Sequence, residues 1–185
     1  RYYYFILLTG ALTEGFTMTF TTAHGYEGKY IHKSSVNVKR SVFGVIDEVD
    51  KYVKSWKTAP VVSGGWNTGS IYLGIIGFNE ALYPYTMGRL SDDTKNRYTS
   101  FVDNLKSADA TVLYYAVDNA IDVLHNSMYP EDIQDIAIIT FTDGLDEGSI
   151  MLTDKYEEEA DYLDAISYRL ASSKIGGLPI SSYTI

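Results

Sequence analysis

Apolar runs and amphipathic stretches alternate along this chain. Tyr2-Tyr3-Tyr4-Phe5-Ile6-Leu7-Leu8 is an unbroken aromatic and aliphatic run that reads as a central strand. A turn rich in glycine and hydroxyls, Thr9 to Gly15, ends it. Thr17 to Thr22 has strand composition, Ala23 to Gly28 is a turn signal, and Lys29 to His32 returns as a second arm. Phe16 to Lys33 is therefore expected to be an inserted hairpin. Ser34 or Ser35 is placed to cap the helix that follows, where Val42, Val45, Ile46, Val49, Val53 and Trp56 make one apolar stripe at spacings of three and four. Asp47, Glu48, Asp50, Lys51 and Lys54 fill its other face.

Pro60-Val61-Val62 reads as a short edge strand, Gly64 to Gly69 as a turn, and Ser70 to Phe78 as a second long apolar strand. Asn79 to Gly88 reads as an irregular loop bearing tyrosines. Asp92 or Asp93 is expected to cap a helix through Phe101 to Leu105, ending near Lys106. Leu113, Ala116, Val117, Ala120, Ile121 and Leu124 give Val112 to Leu124 a helical stripe. Beyond the break at Pro130, Ile136 to Ile139 reads as a strand buried on both faces, as in a parallel sheet. Thr153 or Asp154 is expected to cap a last helix whose buried face is Leu163, Ile166 and Leu170. Gly176-Gly177 stops it, and Pro179 to Ile185 starts one more strand. This alternation of strands and helices predicts an α/β domain with a mainly parallel sheet.

Composition narrows the function classes. The 185 residues suit one domain, 1–185, with a proper core. A formal net charge of -9 argues against nucleic acid, whose phosphates need Lys and Arg, and against an anionic membrane surface. No apolar run approaches the ~18 residues of a membrane-spanning helix, so no direct membrane insertion is expected. With no cysteine, disulfides, thiolate metal sites and thiol nucleophiles are absent. Several of the 17 tyrosines (Tyr26, Tyr30, Tyr83, Tyr85, Tyr129) fall in expected loops or strand edges, where the residue serves binding surfaces or fills strands. The sequence opens on Arg1 rather than methionine and reads as a processed product or an excised piece.

Candidate chemistry gathers at strand ends. Thr142-Asp143-Gly144 places a hydroxyl and a carboxylate where a buried strand stops, and open α/β sheets bind ligands there. The plainer reading of Asp143-Gly144 is a turn. The loops Thr9 to Gly15, Ala108 to Thr111 and Thr142 to Ser149 are expected to share one sheet edge. His24, His32 and His125 lack metal-ligand spacing, and Asp143, Asp146 and Glu147 do not fit a calcium loop. Gly-x-x-x-x-Gly-Lys and Gly-x-Ser-x-Gly are both absent, against a P-loop hydrolase and an α/β-hydrolase nucleophile.

Two segments resemble the von Willebrand factor type A family. Phe141-Thr142-Asp143-Gly144 matches its Thr-Asp-Gly after a hydrophobic strand. Thr111-Val112-Leu113-Tyr114-Tyr115-Ala116-Val117-Asp118-Asn119-Ala120 matches its threonine ahead of a Leu- and Ala-patterned helix. The resemblance spans most of the chain, from Tyr2 to Ile185. It implies a three-layer fold, a mainly parallel central sheet with helices on both faces. It also implies a recognition edge holding Thr9, Thr13, Thr111 and Asp143, and a location outside the cell or on its surface. Family members continue past Pro179 to Ile185 with another helix, strand and helix, so the chain is expected to be truncated at its C-terminal end and to be part of a larger one.

The family's metal-ion-dependent adhesion site adds Asp-x-Ser-x-Ser after the first strand. The equivalent positions here are Thr9, Ala11 and Thr13, which removes one negative charge and one direct oxygen ligand. Thr13, Thr111 and Asp143 remain as candidate metal ligands, so no cofactor is expected beyond weak Mg²⁺ binding. A competing alignment puts His32-Lys33-Ser34-Ser35-Val36 at this place, but Gly28 to Ile31 makes a poor central strand. The resemblance implies a non-catalytic adhesion module for a protein or glycan partner, reached through the strand-end loops, the Phe16 to Lys33 hairpin and Tyr83-Pro84-Tyr85. The alternatives are a structural scaffold domain and a Mg²⁺-dependent hydrolase using Asp143 with Asp146.

Overall fold

Period-two alternation sorts the apolar side chains of the central strands onto two faces, and each face is covered by helix. The computed structural model describes residues 2–10, 17–21, 27–31, 44, 46–47, 70–106, 108, 110–142 and 145–184. In chain order the strands are β1 (Tyr2–Gly10), β2 (Thr17–Thr21), β3 (Glu27–Ile31), β4 (Ser70–Phe78), β5 (Leu82–Arg89), β6 (Ile133–Phe141), β7 (Lys174–Ile175), β8 (Leu178–Pro179) and β9 (Ser181–Thr184). The helices are α1 (Asp92–Asp103), α2 (Leu113–Asn126) and α3 (Glu159–Ser172), with a 3₁₀ turn at Ser149–Leu152.

The main sheet runs β5-β4-β1-β6-β9. β1 is parallel to both β4 and β6, and β6 is parallel to β9. Only β5 runs antiparallel, at the edge. The fold class is therefore the expected three-layer α/β arrangement, with Tyr2 to Leu8 at its centre. β2 and β3 pair antiparallel, as the hairpin reading of Phe16 to Lys33 requires. The Ser34-capped helix lies largely outside the described residues, although Gly44, Ile46 and Asp47 are helical. The strand at Pro60 to Val62 and the turn at Gly64 to Gly69 lie outside them altogether.

On one face, Ile6 and Leu8 of β1, Ile76 and Phe78 of β4, and Ile136 and Ile138 of β6 pack beneath Ala116, Ala120, Ile121 and Leu124 of α2. On the other, Leu7, Ile71, Leu73, Ile75 and Phe141 pack beneath Tyr98 and Val102 of α1, with Ile46. A salt bridge from Lys95 to Asp47, at 2.7 Å, joins α1 to that first helical segment. Each fully buried Ile or Leu contributes about 1.5–3 kcal/mol relative to exposure, so the two cores dominate the stability.

Three expectations are corrected. Asn79 to Gly88 is not an irregular loop, because most of it forms β5. Pro84 suits an edge strand, which bonds a neighbour on one side only. The cap of α1 is Ser91, not Asp92 or Asp93. Its backbone is extended, its hydroxyl accepts the Thr94 N–H at 3.3 Å, and Thr94 Oγ1 accepts the Ser91 N–H at 2.8 Å. Both aspartates already lie in the first turn, where the helix dipole favours them.

The last helix also starts later than Thr153 or Asp154 would place it. Glu158 is the cap position, without a side-chain bond. Its buried positions are Tyr162 and Ile166, with Leu170 half-buried, a spacing of four; Leu163 is 42% exposed. After Gly176 and Gly177, both at positive φ in the β7–β8 turn, the chain re-enters the sheet as β9.

Candidate functional site

The ends of β1, β4 and β6 define one edge of the sheet. Thr9, last but one in β1, is in register with Gly77 and Phe141 and is fully buried. Gly77 has no side chain for a reason visible here. A Cβ on it would lie 2.6 Å from Leu105 Cδ2, so the bare backbone lets Leu105 pack on the strand end.

Asn79, buried just past β4, ties three segments together. Its Nδ2 donates to the Lys106 carbonyl at 3.2 Å and its Oδ1 accepts the Ala81 N–H at 3.0 Å. Its own carbonyl accepts the Val112 N–H at 2.8 Å. Asn79 thus fixes both ends of the segment that carries Thr111 into α2. Thr111 in turn accepts the Glu147 N–H at 2.8 Å through its carbonyl, which brings the loop after β6 onto the same edge.

That loop is pinned by a buried carboxylate. The cap position of α2, Val112, makes no side-chain cap bond, leaving the first N–H groups of the helix to be satisfied from elsewhere. Asp146 Oδ1 accepts the Tyr114 N–H at 2.9 Å, and Ser149 Oγ accepts the Tyr115 N–H at 2.9 Å. Asp146 also accepts from the Ser149 N–H at 3.1 Å and from the Ser149 hydroxyl. A buried carboxylate with several donors at a helix N-terminus is a stable arrangement, since bonds and dipole replace the lost water. Burial, with the charges of Glu159 and Asp146, raises Tyr114 above the ordinary tyrosine value.

While Asp146 and Ser149 point inward, their neighbours point out. Leu145 is 83% exposed and Met151 85%, with Leu152 beside them less so. Glu147, Asp154, Glu157, Glu158, Glu159 and Asp161 are exposed in the same stretch. A cleft of about 340 Å³ separates the 3₁₀ turn from α2, lined by Tyr115, Asp118, Asp122, Leu152 and Asp154 among others. Arg169 of α3 bonds Asp118 and Asp122 of α2. Burial lowers its guanidinium value, but the hydrogen bonds it donates to these two carboxylates, with their charge, outweigh that and leave it raised. A separate apolar recess of about 360 Å³ lies between Met87 and Val123, away from the strand ends.

Of the four residues expected at this edge, Thr9 and Thr111 are placed there; Thr13 and Asp143 lie outside the described residues. Of the residues that hold the edge together, Asp146 and Ser149 fall in the loop expected there, though not as caps of α2, and Asn79 has no signature beyond a polar residue after an apolar run. Thr9 and Thr111 are neutral, and the one buried carboxylate among the described residues of this edge, Asp146, is engaged by three donors. The described part of the edge therefore does not fit Mg²⁺, which needs six oxygens in octahedral array and carboxylate charge. Among the described residues no three His, Cys, Asp or Glu side chains group so as to hold a metal, and no helix is long and apolar enough to cross a membrane.

The fold is an α/β arrangement whose loops after β4 and β6 meet the start of α2 at the carboxyl ends of the parallel strands. The chain is similar to solved structures of von Willebrand factor type A domains. One is a von Willebrand factor type A protein from Catenulispora acidiphila, at 12% identity and TM-score 0.48 over 98% of this chain and 32% of that one. Another is the conserved hypothetical protein BatB from Bacteroides thetaiotaomicron, at 15% identity and TM-score 0.48 over 97% of this chain and 64% of that one. A third is the von Willebrand factor domain of the type V pili tip protein Mfa5 from Porphyromonas gingivalis, at 12% identity and TM-score 0.42 over 78% of this chain and 38% of that one. The chain spans between about a third and two thirds of these solved chains. No protein-family model matches it, and no curated protein sequence matches it.

Proposed function

We propose that this chain is a non-catalytic recognition module that binds a protein partner through the loops at the carboxyl edge of its sheet. One observation carries the reading: Asp146, Ser149 and the Glu147 N–H anchor the loop after β6, while Leu145 and Met151 stand almost fully exposed on it. Large apolar side chains exposed on an anchored loop suit an interaction surface, because the loop loses little freedom when it is covered. Metal dependence is weak in this reading, since Asp146 serves the fold and Thr9 carries no charge. A setting at the cell surface, within a larger chain, follows from the family resemblance and belongs to the same proposal. A glycan is the other partner class, and an exposed Leu–Met pair favours protein over sugar hydroxyls.

Selection of binders from an unbiased peptide library, followed by hydrogen-exchange mapping, tests the reading. Protection is expected over 145–153 and 106–112. Binders that protect only other surfaces, or that bind Leu145→Asn/Met151→Asn as well as the parent, would sink it.

A further inference from the structure

Charge along this chain is not spread evenly. Residues 143–164 hold nine Asp and Glu against the single Lys155, so they account for eight of the nine net negative charges of the whole sequence. The fold holds the described part of this stretch, 145–164, against α2. Asp118 of α2 bonds Arg169 of α3 and lies 3.5 Å from the Tyr162 hydroxyl, and His125 near the end of α2 meets Ser173 after α3 at 3.2 Å. The two helices therefore run side by side in the same direction. Both begin at the carboxyl edge of the sheet, and α3 packs against the 3₁₀ turn that carries the exposed Met151 and Leu152.

We propose that the partner segment received at this edge is cationic, with lysine or arginine side chains alternating with large apolar ones. The inference rests on the recognition reading above and specifies its chemistry. Leu145, Met151 and Leu152 offer the apolar contact. Glu147, Asp154, Glu157, Glu158 and Glu159 carry exposed carboxylates in the same stretch of chain. Asp154 edges the cleft beside Leu152, which Lys155 also lines and where Asp122 is already bonded by Arg169. A solvated acidic helix start is the ordinary meaning of such a run. Here the run shares its surface with almost fully exposed Leu and Met side chains on an anchored loop, and that pairing is what a basic, apolar-bearing segment complements.

The competing effect is the positive end of each helix, which favours anions. Each end amounts to about half an elementary charge, and that of α2 is already met by Asp146. The surplus of carboxylates outweighs both. An acidic ligand would therefore be repelled at long range, whereas a cationic one is drawn in, with a rate that falls as salt rises.

Three labelled peptides test this on the full chain by fluorescence anisotropy: alternating Lys and Leu, all Lys, and alternating Glu and Leu. The Lys–Leu peptide is expected to bind best and to weaken with salt. Glu157→Gln/Glu158→Gln/Glu159→Gln should weaken it about tenfold, as should Leu145→Asn/Met151→Asn, with the circular dichroism and thermal midpoint of each variant unchanged. Glu131→Gln/Asp132→Asn/Asp92→Asn removes equal charge at the starts of β6 and α1, away from this edge, and should leave binding as it was. Equal weakening by that control set would mean attraction to net charge alone and overturn the proposal. Preference for the Glu–Leu peptide, lost in Leu145→Asn/Met151→Asn, would overturn the cationic partner and leave the recognition reading standing. Binding indifferent to both sets of edge substitutions would overturn both.

Discussion

Asp146 reaches across 32 residues to cap the first turn of α2, its carboxylate accepting the Tyr114 N–H at 2.9 Å. Asp146→Ala leaves that N–H and the Ser149 groups short of an acceptor in a buried place. A lost cap costs about 1 kcal/mol and a buried unsatisfied donor about 1–3 kcal/mol. Denaturant titration should show a destabilisation of about 2 kcal/mol. Ser149→Ala removes a partner of the same network, so the double variant should cost less than the two singles together. Strict additivity would mean that the two residues act separately.

Tyr98 closes the gap where β4 and β5 slip register. Its hydroxyl lies 2.6 Å from the Leu73 carbonyl and 3.1 Å from that of Gly88, the register pair that borders the irregularity between Leu73 and Ile75. Burial, partly offset by the Gly88 bond, pushes its value up to about 12 from an ordinary 10.0. A group raised in the fold contributes fully below its unfolded value and loses that contribution as pH climbs through the folded one. Stability should therefore fall between pH 10 and 12. Tyr129, also held at about 12 by burial, adds to that fall. Tyr98→Phe should cost about 1 kcal/mol at neutral pH and fall less steeply above pH 10. Equal slopes for parent and variant would remove Tyr98 from the account.

Gly77→Ala would set a Cβ 2.6 and 2.8 Å from the two methyls of Leu105. Leu105 must shift, at a cost of about 1 kcal/mol, toward the low end of overpacking penalties because side-chain ends give more readily than backbone. Leu105→Ala in the same chain should abolish the penalty of Gly77→Ala. A penalty that persists would place the strain in the strand backbone instead.

The sheet was legible where burial is two-sided. Tyr2 to Leu8 and Ile136 to Ile139 carry no polar face to confuse them, and the α2 stripe repeats at helical spacing. β5 was hidden because Tyr83-Pro84-Tyr85 and Gly88 look like breakers, although an edge strand tolerates them. The buried face of α3 was set one position off, since Tyr162 rather than Leu163 lies in line with Ile166 and Leu170. Thr9 and Thr111 were placed by family resemblance, and both stand at the expected edge. Asp146 escaped because a cap is sought next to its helix, and this one comes from a loop 32 residues away. Only tertiary structure brings that pair together.

Magnesium gives the site its sharpest remaining test. A ligand that binds the fold alone stabilises it by an amount set by its concentration over Kd, about 2.7 kcal/mol at a hundredfold excess. A site with Kd near 10 μM would thus raise stability by about that much in 1 mM Mg²⁺. The described edge offers the hydroxyls of Thr9 and Thr111, with Asp146 held by Tyr114 and Ser149. The unfolding midpoint should therefore be the same in Mg²⁺ and in chelator, and Asp143→Ala should not alter the comparison. A rise in Mg²⁺ that Asp143→Ala abolishes would show that Asp143, with Thr13 and Thr111, makes up the charge that Thr9 lacks.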